Sequence, residues 1–181
     1  GLTISDEGLI NGEHHYIWQG SSAAYAVCIN MDIAEEIGVT HLLPQDGLTW
    51  TWDDFKTCLR KAKDNGYIGI TLFAGSQSSD MWYYSFFLAA GAELVDVENH
   101  KAVMNVGENK EKCLEVLELL KTIVDEGLCQ PGAASTIDQE AQAIWFTGRM
   151  LFCHGAWSNV AKWVQQINAG SCVVEDFEMF S

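Results

Sequence analysis

Cys153 and His154 stand side by side in this chain, and a thiol beside an imidazole could make a nucleophile and its base. On a strand, however, consecutive side chains point to opposite faces, so the two would not meet. Glu13, His14 and His15 suggest metal chemistry, yet adjacent side chains rarely converge on one ion and no third ligand follows at helical spacing. No metal site is expected. The 25 Asp and Glu residues allow a glycosidase, which needs two carboxylates facing across one bond, but no pair is singled out. No catalytic residue and no cofactor is assigned. What remains is non-covalent: Trp157, whose indole could stack on a flat, weakly polar ligand.

The elements that would present Trp157 are legible in the residues from Phe146 to Trp157. Gly148 can take the left-handed conformation that stops a helix, Met150 to Cys153 is a short apolar run suited to a covered strand, and Gly155 allows a sharp turn. Trp157 would then sit just past the carboxyl end of a strand, where open α/β sheets hold their ligands. Upstream, Tyr25 to Ile29 reads as a buried strand and Ile33 to Ile37 as a short helix closed by Gly38. Thr51 reads as an N-cap with acid three residues on, and Phe55, Cys58, Leu59 and Ala62 follow at helical spacing up to Gly66. Ile68 to Phe73 reads as the next strand.

After a small-residue loop, Asp80 to Ala90 carries aromatics on nearly every face, as a helix buried on more than one side would. Glu93 to Met104 suggests a hairpin around Asn99 and His100. Glu108 to Glu126 is the clearest amphipathic helix, with Cys113, Val116, Leu117, Leu120 and Val124 on one stripe and Gly127 as its cap. A helix from about Ile137 to Thr147, another from Ser158 to Ile167 and a last strand starting at Val173 and Val174 complete the reading. Strands alternate with helices, which favours α/β layering with a mixed, partly parallel sheet.

Composition narrows the partners. With 181 residues and 48% hydrophobic content, the chain can form one domain with a real core. Its net charge of -15 argues against unaided binding to nucleic acid or anionic lipid, both of which need a cationic surface. No apolar run reaches the roughly 18 residues that span a bilayer, and the first residues lack a signal-peptide pattern, so a soluble, mature or trimmed chain is expected. The six cysteines are spread singly, without zinc spacing. Cys28, Cys113 and Cys153 are expected as buried small hydrophobes rather than disulfide partners.

Three segments, in order, resemble the extracellular solute-binding proteins of ABC importers, in the branch that includes maltose- and oligosaccharide-binding proteins. Tyr25 to Gly38 resembles the strand and Asn-x-Asp helix start at the entry to the second lobe. Thr51-Trp-Asp-Asp-Phe55 resembles a Thr-Trp-Asp-Glu-Phe helix opening, and Phe146 to Trp157 resembles Phe-x-x-Gly-x-x-Ala-Met followed by Gly-x-Trp. Phe87 to Asp96 resembles the Gly-Gly-x-Leu-x-Asp hairpin of the family. Two residues depart from the pattern: Met31 follows Ile29-Asn30 where Tyr-Asn-Lys is common, and His154 stands where many relatives have a small or amide residue.

The resemblance implies one lobe of a periplasmic-binding-protein type II-like fold, with 1–181 an excised lobe and 1–24 an inter-lobe crossing segment. It implies a non-catalytic, monomeric protein, extracellular or periplasmic and lipid-anchored at full length, that holds a sugar between two lobes and docks on membrane permease subunits. Carried over by position, Trp157 stacks on a sugar ring, Trp82 or Tyr83 supplies a second aromatic, and Asp80 accepts hydroxyl hydrogen bonds. Ser21 and Gln19, with Trp18 and Ser22, offer polar groups near the hinge. Each has a plainer reading: Trp157 anchoring the last helix, core packing for at least two of the three rings, Asp80 as the N-cap of its helix, and an ordinary connection for Gln19 and Ser21. A carbohydrate-active hydrolase domain and a cell-surface adhesion module are the alternatives.

Overall fold

A computed structural model describes residues 9–10, 13–14, 25–45, 49–77 and 79–180. Two short strands, β1 (Leu9–Ile10) and β2 (Glu13–His14), pair antiparallel. Gln19, Ser21 and most of segment 1–24 lie outside the described residues. Strand β3 (Tyr25–Asn30) turns directly into helix α1 (Met31–Glu36), because Asn30 is extended and its Oδ1 accepts the Ile33 amide at 3.2 Å. Helix α2 (Trp52–Asp64) starts as its sequence dictates: Thr51 Oγ1 accepts the Asp54 amide at 3.1 Å, and Gly66 beyond it adopts φ 83.

The chain continues through β4 (Ile68–Ile70), α3 (Ser79–Ala89), the hairpin β5 (Val95–Asp96) and β6 (Lys101–Ala102), and α4 (Gly107–Asp125). Then come α5 (Asp138–Trp145), β7 (Met150–Ala156), α6 (Trp157–Asn168) and β8 (Phe177–Phe180). The main sheet has the order β4-β7-β3-β8. β4 and β7 are parallel, while β3 runs antiparallel to both β7 and β8, giving the mixed, partly parallel sheet expected.

At Cys28–Ile29 of β3 and Phe152–Cys153 of β7, alternation sends neighbouring side chains into two core clusters. Ile29 and Phe152 join Phe55 and Leu59 of α2, Phe86 of α3, and Val116 and Ile123 of α4. Cys28 and Cys153, opposite each other in register, join Trp145 of α5 and Trp163 of α6. Phe152 is the hub of the first face: its ring stacks on Phe55 at 5.4 Å and meets Trp50 edge-on at 5.2 Å. Cys28, Cys113 and Cys153 are buried as expected, and all six cysteines are thiols. Arg60 of α2 forks both its Nε and one terminal nitrogen onto Glu126 at 2.6 Å, joining α2 to the end of α4.

Several expectations need correction. Gly155 is no turn: β7 runs through it, paired with Ala26, and an added Cβ would meet Cys28 Sγ at 2.3 Å and Trp163 at 3.0 Å. The glycine is there for close packing. The buried stripe of α4 is Cys113, Val116, Leu119 and Ile123, whereas Leu117 and Val124 face solvent. Helix α3 is buried on one broad face, through Trp82, Phe86 and Phe87, and exposes Tyr84 and Leu88. β4 stops at Ile70, although Thr71 to Phe73 stay buried, and the last strand starts at Phe177 rather than Val173.

Candidate functional site

Because β4 and β7 are parallel, their carboxyl ends leave the sheet at one edge. β4 continues into residues 71–77 and then α3; β7 passes into α6 at Trp157 without a loop. The topology therefore brings the Trp157 position and the start of α3, with Asp80, Trp82 and Tyr83, to the edge where α/β sheets hold ligands. The Trp157 backbone follows β7 as expected but is already the first residue of α6, which was expected to start at Ser158; its side chain is outside the described residues, as are Gln19 and Ser21.

Residues 71–75 lie outside the sheet ladder and are held by side chains and by backbone bonds to residues 133–136. Tyr83 Oη accepts the Phe73 amide at 2.9 Å and donates to the Phe73 carbonyl at 3.1 Å. Gln130 does the same for Leu72: its Oε1 accepts the Leu72 amide at 3.1 Å, and its Nε2 donates to the Leu72 carbonyl and to Thr136 Oγ1. The Gly75 amide donates to the Thr136 carbonyl at 2.8 Å, and a Cβ at Gly75 would lie 2.4 Å from the Ser135 carbonyl oxygen. Burial pushes the Tyr83 phenol up, so it stays a neutral donor and acceptor at physiological pH.

Trp82 is 9% exposed and packs edge-on against Phe73 at 6.0 Å. Tyr83 is half-buried, its hydroxyl engaged as above. Asp80 is exposed in the first turn of α3; the helix already includes Ser79, so the N-cap position expected for Asp80 is corrected to a helical one. An acid there still suits the positive end of the helix.

Sequence reasoning gave no role to His154 or Gln130. His154 is 4% exposed, and four rings surround it edge-to-face: Phe86 at 5.6 Å, Phe73 at 5.7 Å, Trp82 at 5.8 Å and Tyr83 at 6.3 Å. Burial lowers its pKa to about 4, the neighbouring Thr71 backbone partly offsetting the shift. The one signal in the sequence was a histidine inside an apolar run. Cys153 lies on the other face of β7, donates to the His154 carbonyl oxygen at 3.3 Å, and has its thiol pushed up by burial. The two do not form a nucleophile and base.

A wider surface groove of about 340 Å3 runs between α2 and α4, lined by Thr51, Trp52, Glu115 and Glu118. Its Lys56 is paired with Asp53 at 2.8 Å, and none of its lining side chains is a buried polar group without a partner. Among the described residues, no three His, Cys, Asp or Glu side chains are grouped to hold a metal, and no helix is long and apolar enough to cross a membrane.

A sequence profile of the family described as bacterial extracellular solute-binding protein matches residues 4–171. A relative from Brucella abortus (strain 2308), named for binding alone, is 26% identical over 132 residues, covering 72% of this chain and 29% of its own length. Among solved structures, a chitin oligosaccharide binding protein superposes with a TM-score of 0.70 at 19% identity, over 96% of this chain and 41% of that one. Maltose-bound MalE3 of T. maritima gives 0.66 at 16% identity, over 87% of this chain and 37% of that one. An ABC transporter solute binding protein of Agrobacterium vitis S4, with bound D-mannitol, gives 0.64 at 20% identity, over 87% and 36%. The chain thus spans less than half the length of each of these proteins.

Proposed function

The chain belongs to the bacterial extracellular solute-binding protein family and has the periplasmic-binding-protein fold, and from that premise we propose that it is part of the carbohydrate-binding component of an ABC importer. The observation that carries the reading is the shared carboxyl edge of β4 and β7, which gathers the aromatic start of α3 and the Trp157 position on one side of the sheet. The solved relatives named above, bound to maltose and D-mannitol or named for chitin oligosaccharide, support a sugar as the ligand class.

In this reading each residue has its own part. Trp157, at the first position of α6, lays its indole face against the C-H face of a pyranose, and exposed Asp80 accepts sugar hydroxyls. Trp82 and Tyr83, packed as they are, form the wall behind them, and Gln19 and Ser21 add polar contacts from the crossing segment. The rest of the site comes from a second lobe that closes over the ligand. The closed form presents itself to permease subunits as a monomer, outside the cytoplasm, held at the membrane by a lipid anchor in the full-length protein.

Titrating the full-length protein with a panel of sugars, followed by tryptophan fluorescence, is the direct test. Saturable binding without turnover is expected, and appearance of a hydrolysis product would overturn the reading. Trp157→Ala should weaken binding on the order of tenfold, about 1.4 kcal/mol, with an unchanged circular dichroism spectrum. Wild-type affinity in that variant removes the stacking role.

A further inference from the structure

His154 is buried, and although the Thr71 backbone lies near enough to the ring to act on it, neither Nδ1 nor Nε2 makes a hydrogen bond of good geometry. Proteins rarely leave such groups unmatched inside. Beside the ring lies a small cavity of about 10 Å3, whose lining includes the polar residues Thr71, Asp138 and Gln142 and the apolar residues Phe73, Trp82 and Ala141. By this measure the space suits about one water molecule, which needs two to four polar partners.

We propose that His154 holds a single internal water in this cavity and, through it, is the positioning residue for Trp82 and Tyr83. Three elements line the cavity: β7 brings His154, α5 brings Asp138 and Gln142, and the segment after β4 brings Thr71, whose hydroxyl also donates to Met150 Sδ of β7. A water bonded to the ring and to α5 or Thr71 fixes the imidazole plane. That plane in turn sets the four edge-to-face rings, among them Trp82 at 5.8 Å and Tyr83 at 6.3 Å. Burial keeps the ring neutral at physiological pH, and a neutral imidazole offers one donor and one acceptor, one of which a single water satisfies. Trp82 lines the same cavity, so a tilted imidazole would let its indole settle into the space. The consequence for ligand binding rests on the carbohydrate reading above; the water and the ring geometry stand apart from it.

The test uses the full-length protein labelled with 5-fluorotryptophan, with the Trp82 fluorine resonance assigned through Trp82→Phe. Wild type is expected to give one sharp Trp82 line and a long-lived water contact to the His154 ring protons in nuclear Overhauser spectra. His154→Gln, which keeps a polar end, should preserve the sharp line and leave sugar affinity within about threefold, a shift of roughly 0.6 kcal/mol. His154→Leu, of similar bulk but apolar, should split or broaden the Trp82 line and weaken affinity on the order of tenfold. A wild-type ring with no water contact, or a leucine variant whose Trp82 line matches wild type, overturns the proposal. If the leucine variant does not fold, the wild-type water contact decides. If no sugar binds wild type, the carbohydrate reading fails while the fluorine and water measurements still judge His154.

Discussion

At Gly155, the absence of one methyl group lets two strands and a helix come together. The space a Cβ would take is occupied by Cys28 Sγ, at 2.3 Å, and approached by the tip of the Trp163 ring, at 3.0 Å. Gly155→Ala should therefore destabilise by about 1–3 kcal/mol through overpacking, measured by chemical denaturation. Cys28→Ala removes the sulfur in the way, so the double variant should lose clearly less than the sum of the two single losses. Strict additivity would mean that this contact is not why a glycine is needed. Nothing local in the sequence distinguishes such a glycine from a turn glycine, since the reason for it is a residue 127 positions earlier on a neighbouring strand. Gly148, by contrast, has φ 66 and ends α5 as expected, because left-handed backbone after a helix is a local matter.

Helix α4 makes the same point one level up. Between Cys113 and Val124 the apolar residues are dense enough to fit two helical stripes, and period alone does not choose between them. Packing chooses Cys113, Val116, Leu119 and Ile123, leaving Leu119 4% exposed and Leu117 50% exposed. Leu119→Ala should cost about 2–5 kcal/mol, while Leu117→Ala should stay within about 0.5 kcal/mol, as thermal or urea unfolding will report. Equal losses would put the stripe back where the sequence had it. Elements whose signals are local were legible: the Thr51 cap, the Asn30 pivot and the glycine at position 66 all act as their residue types suggest. The site was legible only as a position. The Trp157 backbone falls after its strand as expected, but the packing of Trp82, the engaged hydroxyl of Tyr83 and the clamp from Gln130 depend on contacts between segments far apart in the chain.

For the whole molecule, the net charge of -15 and the buried imidazole of His154 pull stability in opposite directions as pH falls. His154 has its pKa lowered from 6.5 to about 4, so between those values the unfolded chain takes up a proton that the folded one refuses. Its contribution is therefore present above about pH 6.5 and lost as pH falls toward 4, amounting to about 3 kcal/mol over the full window. Relief of carboxylate repulsion acts mainly below that window. Urea unfolding should show wild type losing stability from pH 7 to pH 5, with about 2 kcal/mol of that loss absent in His154→Gln. Identical pH slopes would show that the folded ring takes up its proton as readily as an exposed one.

The sheet order also sets a timetable. β3 finds its partners in β7 and β8, with Cys28 opposite Cys153 and Val27 opposite Phe180. At roughly 5–20 residues per second of synthesis, some 6–25 s separate the appearance of residue 28 from that of residue 153. During that interval the apolar run Ala26 to Ile29 has no strand of its own sheet to pair with, and closing so long a loop is slow even once the partner exists. A nascent chain of this design depends on something to keep that run from pairing with other chains. The first strand of the four-stranded sheet to be made waits for the third, β7, before it is hydrogen-bonded into that sheet.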